Sequence, residues 1–194
     1  MPFVVTVDQR ASRRAPDRVP AALRVLAGVP VLLRFERTAG DEFQGVLDDP
    51  AAVVDVVRRL VHEGDWSVGI GVGPVQRPLP PSTRAGAGPA FIAARAAVEA
   101  AKRRPVRIAV RGPVPETAAD AQAVLTALAA LLERRTDQAE EAVRLVEGGR
   151  TQAEAAAELG VSRQAVGQRL AAGLWEVERD LRPTAARLLT RAAG

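Results

Sequence analysis

Apolar and polar positions alternate in short runs over the first part of the chain, and recur at helical spacing over the rest. Phe3–Val7 (FVVTV) is apolar and β-branched, the pattern of a buried strand, with Asp8 at its end. The polar, arginine-rich stretch that follows reads as a loop, and a helix is expected over Val19–Ala27. Val31–Glu36 and Glu42–Leu47 read as two strands about a turn at Thr38–Asp41, where Ala-Gly-Asp tolerates positive φ. Asp49 and Pro50 begin a helix whose apolar residues Val53, Val56, Val57, Leu60 and Val61 share a face, and Gly64 ends it. In Trp66–Val75, apolar Trp66, Val68, Ile70 and Val72 alternate with small residues. The glycines at 69, 71 and 73 leave one strand face bare, open to close approach by a helix or a ligand. Residues 76–89 read as a loop, Pro89–Arg103 as a helix and Val106–Val110 as a strand.

Beyond Gly112 the pattern is wholly helical, with helices expected at 117–134, 136–147, 151–159, 162–181 and 184–192. The expected fold is therefore α+β, in the order β-α-β-β-α-β-α-β, followed by an all-α part. The divisions fall at 1–112, 113–135 and 136–194. Residues 118–132 are apolar on nearly every side. This helix either packs between the domains or forms a dimer interface, and the expected state is a homodimer through it.

Composition removes several classes of chemistry. Without cysteine there are no disulfides or thiolate metal sites, and His62 is the single histidine. His62 reads as a surface residue late on its helix, without a catalytic partner. Apolar residues make up 47% of the 194, enough for a sizeable core, yet no stretch approaches the ~20 residues of a membrane span. The N-terminus MPFVVTVDQR lacks the layout of a signal peptide, so the expected location is cytoplasmic. Of the 27 basic residues all but Lys102 are arginine, which with abundant alanine suggests a coding bias. The net charge of +4 therefore permits an anionic partner without demonstrating one.

The clearest motif is TQAEAAAELGVSRQAVGQRLAAGLW, residues 151–175. Ala156 permits close helix packing, Gly160 suits a left-handed turn, and Ser162 caps a second helix pinned by Val161, Val166 and Leu170. Ser162, Arg163, Gln164, Gly167, Gln168 and Arg169 are left near the exposed face. Arginine and glutamine match guanine and adenine edges in the major groove, so double-stranded DNA is the expected partner. The spacing A-x-x-x-G-V-S-x-x-x-V-x-x-R-L resembles the helix-turn-helix of sigma-factor promoter-reading domains. An ordinary helical hairpin with a solvated arginine face is the plainer alternative.

A second constellation is Asp8 with AGDEFQG at 39–45. Asp8 and Asp41 are expected to converge and hold Mg²⁺ or Mn²⁺, which take oxygen ligands. Gly40, Glu42, Arg95 and the basic run Arg10, Arg13 and Arg14 are candidates for an anionic ligand. Asp8 and Asp41 also have a bland reading, as a loop cap and a turn residue. The segment looks like the GGDEF signature of diguanylate cyclases, with Ala39 in place of the first glycine, and like the matching hairpin of class III nucleotide cyclases. VGIGVG at 68–73 and GPAFIAARAA at 88–97 resemble their glycine strand and following helix. With the C-terminal helix-turn-helix, the set resembles the SatD-like family of bacterial proteins. These resemblances imply a ferredoxin-like cyclase palm and a nucleotide ligand. Arg95 matches the cyclases' transition-state arginine, but Phe91 stands where they carry a ribose-orienting asparagine, so no residue is assigned a catalytic role. The expectation is a transcription regulator that senses a nucleotide-type ligand. An active cyclase or nucleotidyl-transfer enzyme, and a ligand-free dimeric DNA-binding protein, are the alternatives.

Overall fold

Strand β1 (Phe3–Gln9) runs through the sheet interior, because its residues are apolar or hydrogen-bonded on both faces. In the computed structural model, which describes residues 1–10 and 15–194, β1 is antiparallel to both of its neighbours. These are β3 (Glu42–Leu47) and β4 (Trp66–Val72). Strand β2 (Leu33–Ala39) closes the hairpin with β3, and β5 (Ile108–Arg111) lies parallel to β4. The order across the five-stranded mixed sheet is β2-β3-β1-β4-β5. The helices are α1 (Val19–Leu26), α2 (Pro50–Glu63), α3 (Pro89–Ala101), α4 (Pro115–Glu133), α5 (Asp137–Glu147), α6 (Gln152–Leu159), α7 (Arg163–Ala172) and α8 (Trp175–Ala192). The result is α+β, with the expected element order through β5. No helix among the described residues is long and apolar enough to cross a membrane.

The two faces of the sheet are covered differently. Phe3, Val5, Val7, Phe43, Val68 and Ile70 point into the main core, where α1, α2, α4 and α8 contribute aliphatic side chains. On the other face α3 lies almost against the backbone of β4. A Cβ at Gly69 would sit 2.1 Å from the Val98 amide nitrogen, and one at Gly71 would sit 2.1 Å from the Ala90 carbonyl oxygen. The bare strand face anticipated from the glycines is thus taken by α3, and Ala90, Ala94 and Ala97 keep the approach close.

Two helical expectations change. Residues 162–181 are not one helix: the chain breaks at Gly173 and Leu174, and α8 then runs through Pro183. Gly173 is packed against Ala139 and its carbonyl accepts a hydrogen bond from Arg135 Nε at 3.0 Å, while Leu174 is left-handed. Proline normally ends a helix. Here α8 continues because Glu178 before it and Ala185, Leu189 and Ala192 after it are all buried. Helix α4 also uses its apolar surface inside the chain. Ala118, Ala121, Leu125, Leu128 and Ala129 share the main core with Ala185, Leu189 and Ala192 of α8. No second copy is needed to cover α4.

Helices α5, α6 and α7 enclose a smaller cluster of Ala142, Val143, Leu145, Ala155, Ala156, Val166 and Leu170. A buried ionic network joins this unit to the sheet. The Glu178 carboxylate has no exposed surface and accepts from Arg135 at 2.6 Å, Arg58 at 2.8 Å and Arg182 at 2.9 Å. Arg58 and Arg182 also hold Glu147 of α5, at 3.0 and 2.6 Å. Burial pushes both carboxyls up, but the arginine hydrogen bonds and charges outweigh it and leave both below the ordinary 4.5.

Glu178→Ala takes the buried carboxylate from Arg58, Arg135 and Arg182 and leaves Arg135, whose side chain is 1% exposed, with Glu140 and the Gly173 carbonyl. Urea denaturation is expected to show a loss of about 3–5 kcal/mol. Glu178→Gln keeps the shape and is expected to lose less. Because the folded carboxyls titrate below their unfolded values, the network contributes fully at neutral pH and fades as acid protonates it. The stability gap between wild type and Glu178→Gln is therefore expected to narrow on acidification.

Candidate functional site

The α6–α7 pair is built by local rules. Thr151 Oγ1 accepts from the Glu154 amide at 3.2 Å, and the Glu154 carboxylate accepts from the Thr151 amide at 2.8 Å, a reciprocal cap that starts α6. Those hydrogen bonds hold the Glu154 carboxyl below its usual value. Gly160 is left-handed (φ 64, ψ 31) and ends α6, and the Val161 amide donates to Ala156 at 3.1 Å. Ser162 Oγ then accepts from the Ala165 amide at 3.1 Å and starts α7. Val166 and Leu170 face inward against α5 and α6.

The outer surface of α7 carries most of the expected reading residues. Arg163, Gln164, Gly167 and Gln168 line one shallow groove, with Gln152 of α6 and Ala171 beside them. Ser162 is exposed at the start of α7, where it serves as the cap. Arg169 is half-buried and stands apart from the groove. The ion pairs around α6 and α7 fall to Arg150 and Glu158, at 2.6 Å, and Arg163 makes none among the described residues. Gln152 was missed from the sequence, although its place in the first turn of α6 carries the signal.

At the sheet end the register separates the two expected metal ligands. Asp8 stands opposite Glu42, while the Asp41 carbonyl accepts from the Gln9 amide at 3.3 Å. Alternation puts Asp8 and Glu42 on the α3 face, while Asp41 sits in the two-residue turn between β2 and β3. The Asp8 carboxylate holds Lys102 Nζ at 2.8 Å, and Lys102 also holds Glu99 at 2.8 Å. Burial alone lowers the Lys102 amine, but the bonds to Asp8 and Glu99 raise it above its usual range. Glu42 accepts from Thr38 Oγ1 at 2.6 Å. Among the described residues no three His, Asp or Glu side chains converge. Asp8 is thus engaged by a lysine, and Asp41 lies in the turn beyond the paired strands. The clue to Lys102 was its being the single lysine.

Arg95 and Glu42 line one cleft, of about 770 Å³, between the β2–β3 hairpin, the turn Thr83–Ala85 and α3. Gln44, Arg84 and Phe91 also line it. Gln44 is buried and donates to Thr6 Oγ1 at 2.6 Å, and Arg84 Nε donates to the Arg37 carbonyl. Gly40 forms the hairpin apex at φ 55, with its carbonyl accepting from Arg37 at 2.6 Å. Arg10 lies exposed just past β1, and Arg13 and Arg14 lie outside the described residues. His62 is exposed on the surface, with Nδ1 3.7 Å from a Glu140 carboxylate oxygen. Comparison with protein-family models, curated proteins and solved structures found no match for the chain.

If Asp8 and Lys102 are a pair, each single alanine variant is expected to lose about 1 kcal/mol. The double variant should lose clearly less than the sum of the two, which a denaturation cycle measures.

Proposed function

We propose that the chain is a DNA-binding transcription regulator working in the cytoplasm. In this reading residues 1–112 form a ferredoxin-like palm, similar to nucleotide-cyclase domains, that takes a nucleotide-type ligand without turnover. Residues 136–194 form the helix-turn-helix part. The observation that carries the reading is the α6–Gly160–Ser162–α7 corner, with Arg163, Gln164 and Gln168 aligned outward on one helix. The start of α7 enters the major groove, where an arginine fork matches guanine O6 and N7 and a glutamine amide matches adenine N6 and N7. Ser162 caps the helix and its first turn adds a partial positive charge toward phosphate.

The ligand reading rests on the cleft at the β2–β3 hairpin. Arg84 and Arg95 offer charge to an anion, the Phe91 ring offers a flat apolar wall, and Glu42 and Gln44 offer acceptors. Binding alters DNA affinity only to the degree that it favours one arrangement of the chain over another. Phe91 in place of an amide side chain, and Asp8 held by Lys102, both favour binding over catalysis.

A duplex selected by the wild-type protein from a random-sequence pool gives the test. Arg163→Ala and Gln164→Ala are each expected to weaken binding by about 1–3 kcal/mol, with unchanged melting temperature. Failure to select any sequence, or unchanged affinity in both variants, contradicts the DNA reading. For the ligand, titration calorimetry with GTP and ATP is expected to show binding that Arg84→Ala/Arg95→Ala abolishes. Absence of binding to either contradicts the sensor.

A further inference from the structure

Large apolar side chains are strongly exposed at few places among the described residues, and two of them sit together at the start of α8. Leu174 is 49% exposed and Val177 is 47% exposed. Leu174 directly precedes the first turn of α8 and Val177 lies within that turn. They form a ridge beside a groove of about 530 Å³ between α7 and α8, lined also by Gly167, Leu170, Ala171 and Trp175. Leu174 has a left-handed backbone (φ 52, ψ 40), which is unfavourable for any residue with a Cβ. The chain thus holds a leucine outward in water at a backbone cost that glycine would avoid.

The charges around the ridge are of both signs. Glu176 and Arg179 line the same groove. The ion pairs of α8 are made by Glu178 and Arg182, which leaves Glu176 and Arg179 unpaired among the described residues. Ridge, groove, acid and base therefore occupy one patch, and a self-complementary patch is what a twofold contact requires.

We propose that this corner docks a second copy of the chain. The Leu174–Val177 ridge of each copy enters the groove of the other, and each Glu176 faces an Arg179 across the axis. This goes beyond the DNA reading, since it depends on α8, and it moves dimerisation away from α4, whose apolar surface is used within the chain. Gly167 and Ala171 line both this groove and the outer surface of α7.

Sedimentation velocity on the full chain at about 1 to 100 μM tests the contact. Wild type is expected to shift from the 20.5 kDa monomer toward a dimer as concentration rises. Val177→Asp is expected to stay monomeric with unchanged helicity. Leu174→Gly removes the ridge and relaxes the backbone, so the dimer should weaken at least about tenfold while the melting temperature does not fall. Glu176→Arg and Arg179→Glu should each weaken pairing, and the double reversal should restore it. A wild type that stays monomeric overturns the proposal, as does pairing unaffected by Val177→Asp and Leu174→Gly. Failure of the double reversal to restore pairing overturns the charge register. DNA affinity is measured separately on the selected duplex. If wild type is monomeric and Val177→Asp weakens DNA binding, the corner is a nucleic-acid contact and the pairing proposal falls, while the DNA reading stands.

Discussion

Glu178 is a fully buried carboxylate gripped by arginines from α2, the α4–α5 junction and α8 itself. An isolated charge in that position would be costly enough to unfold its surroundings or lose its ionisation. Three guanidinium groups and the second carboxylate of Glu147 make the charge tolerable only if α2, α5 and α8 arrive together. The network therefore fixes where the α5–α7 unit sits on the sheet. Arg135 adds a further tie by holding the Gly173 carbonyl at the break between α7 and α8. The orientation of α7 thus follows from a few polar groups as well as from the small apolar cluster beneath it.

The opposite side of the sheet is governed by size. Gly69 and Gly71 admit α3 to backbone contact, and that approach carries Arg95 and Phe91 to the edge of the hairpin cleft. Lys102, just beyond the end of the same helix, reaches Asp8. One consequence is chemical. The Asp8 carboxylate already has a cation in the chain, and the cleft lining offers arginines and acceptors.

Features set by neighbouring residues were legible in the sequence. The period-two pattern from Trp66 to Val72, the Asp49–Pro50 start of α2, and the Gly160 and Ser162 signals around the turn each follow from a short-range rule. Features set by distant residues were not. Pro183 reads as a helix end, yet tertiary burial of Ala185 and Leu189 carries α8 through it. The apolar surface of α4 reads as an interface because nothing local announces that α8 will return to cover it. Asp8 and Asp41 read as partners until the strand register assigns Glu42 to Asp8. Of the expected DNA-binding residues, Arg163, Gln164, Gly167 and Gln168 line one groove, whereas Gln152 beside them and the placement of Arg169 required the packed helices.

In the proposed function the outer face of α7 contacts base edges. Backbone amide NMR of the chain, titrated with a duplex selected from a random pool, tests it most directly. The largest shifts are expected at Arg163, Gln164, Gly167 and Gln168, with Gln152 following and α3 unmoved. Shifts confined to the sheet face and α3, with α7 unchanged at saturation, would contradict it.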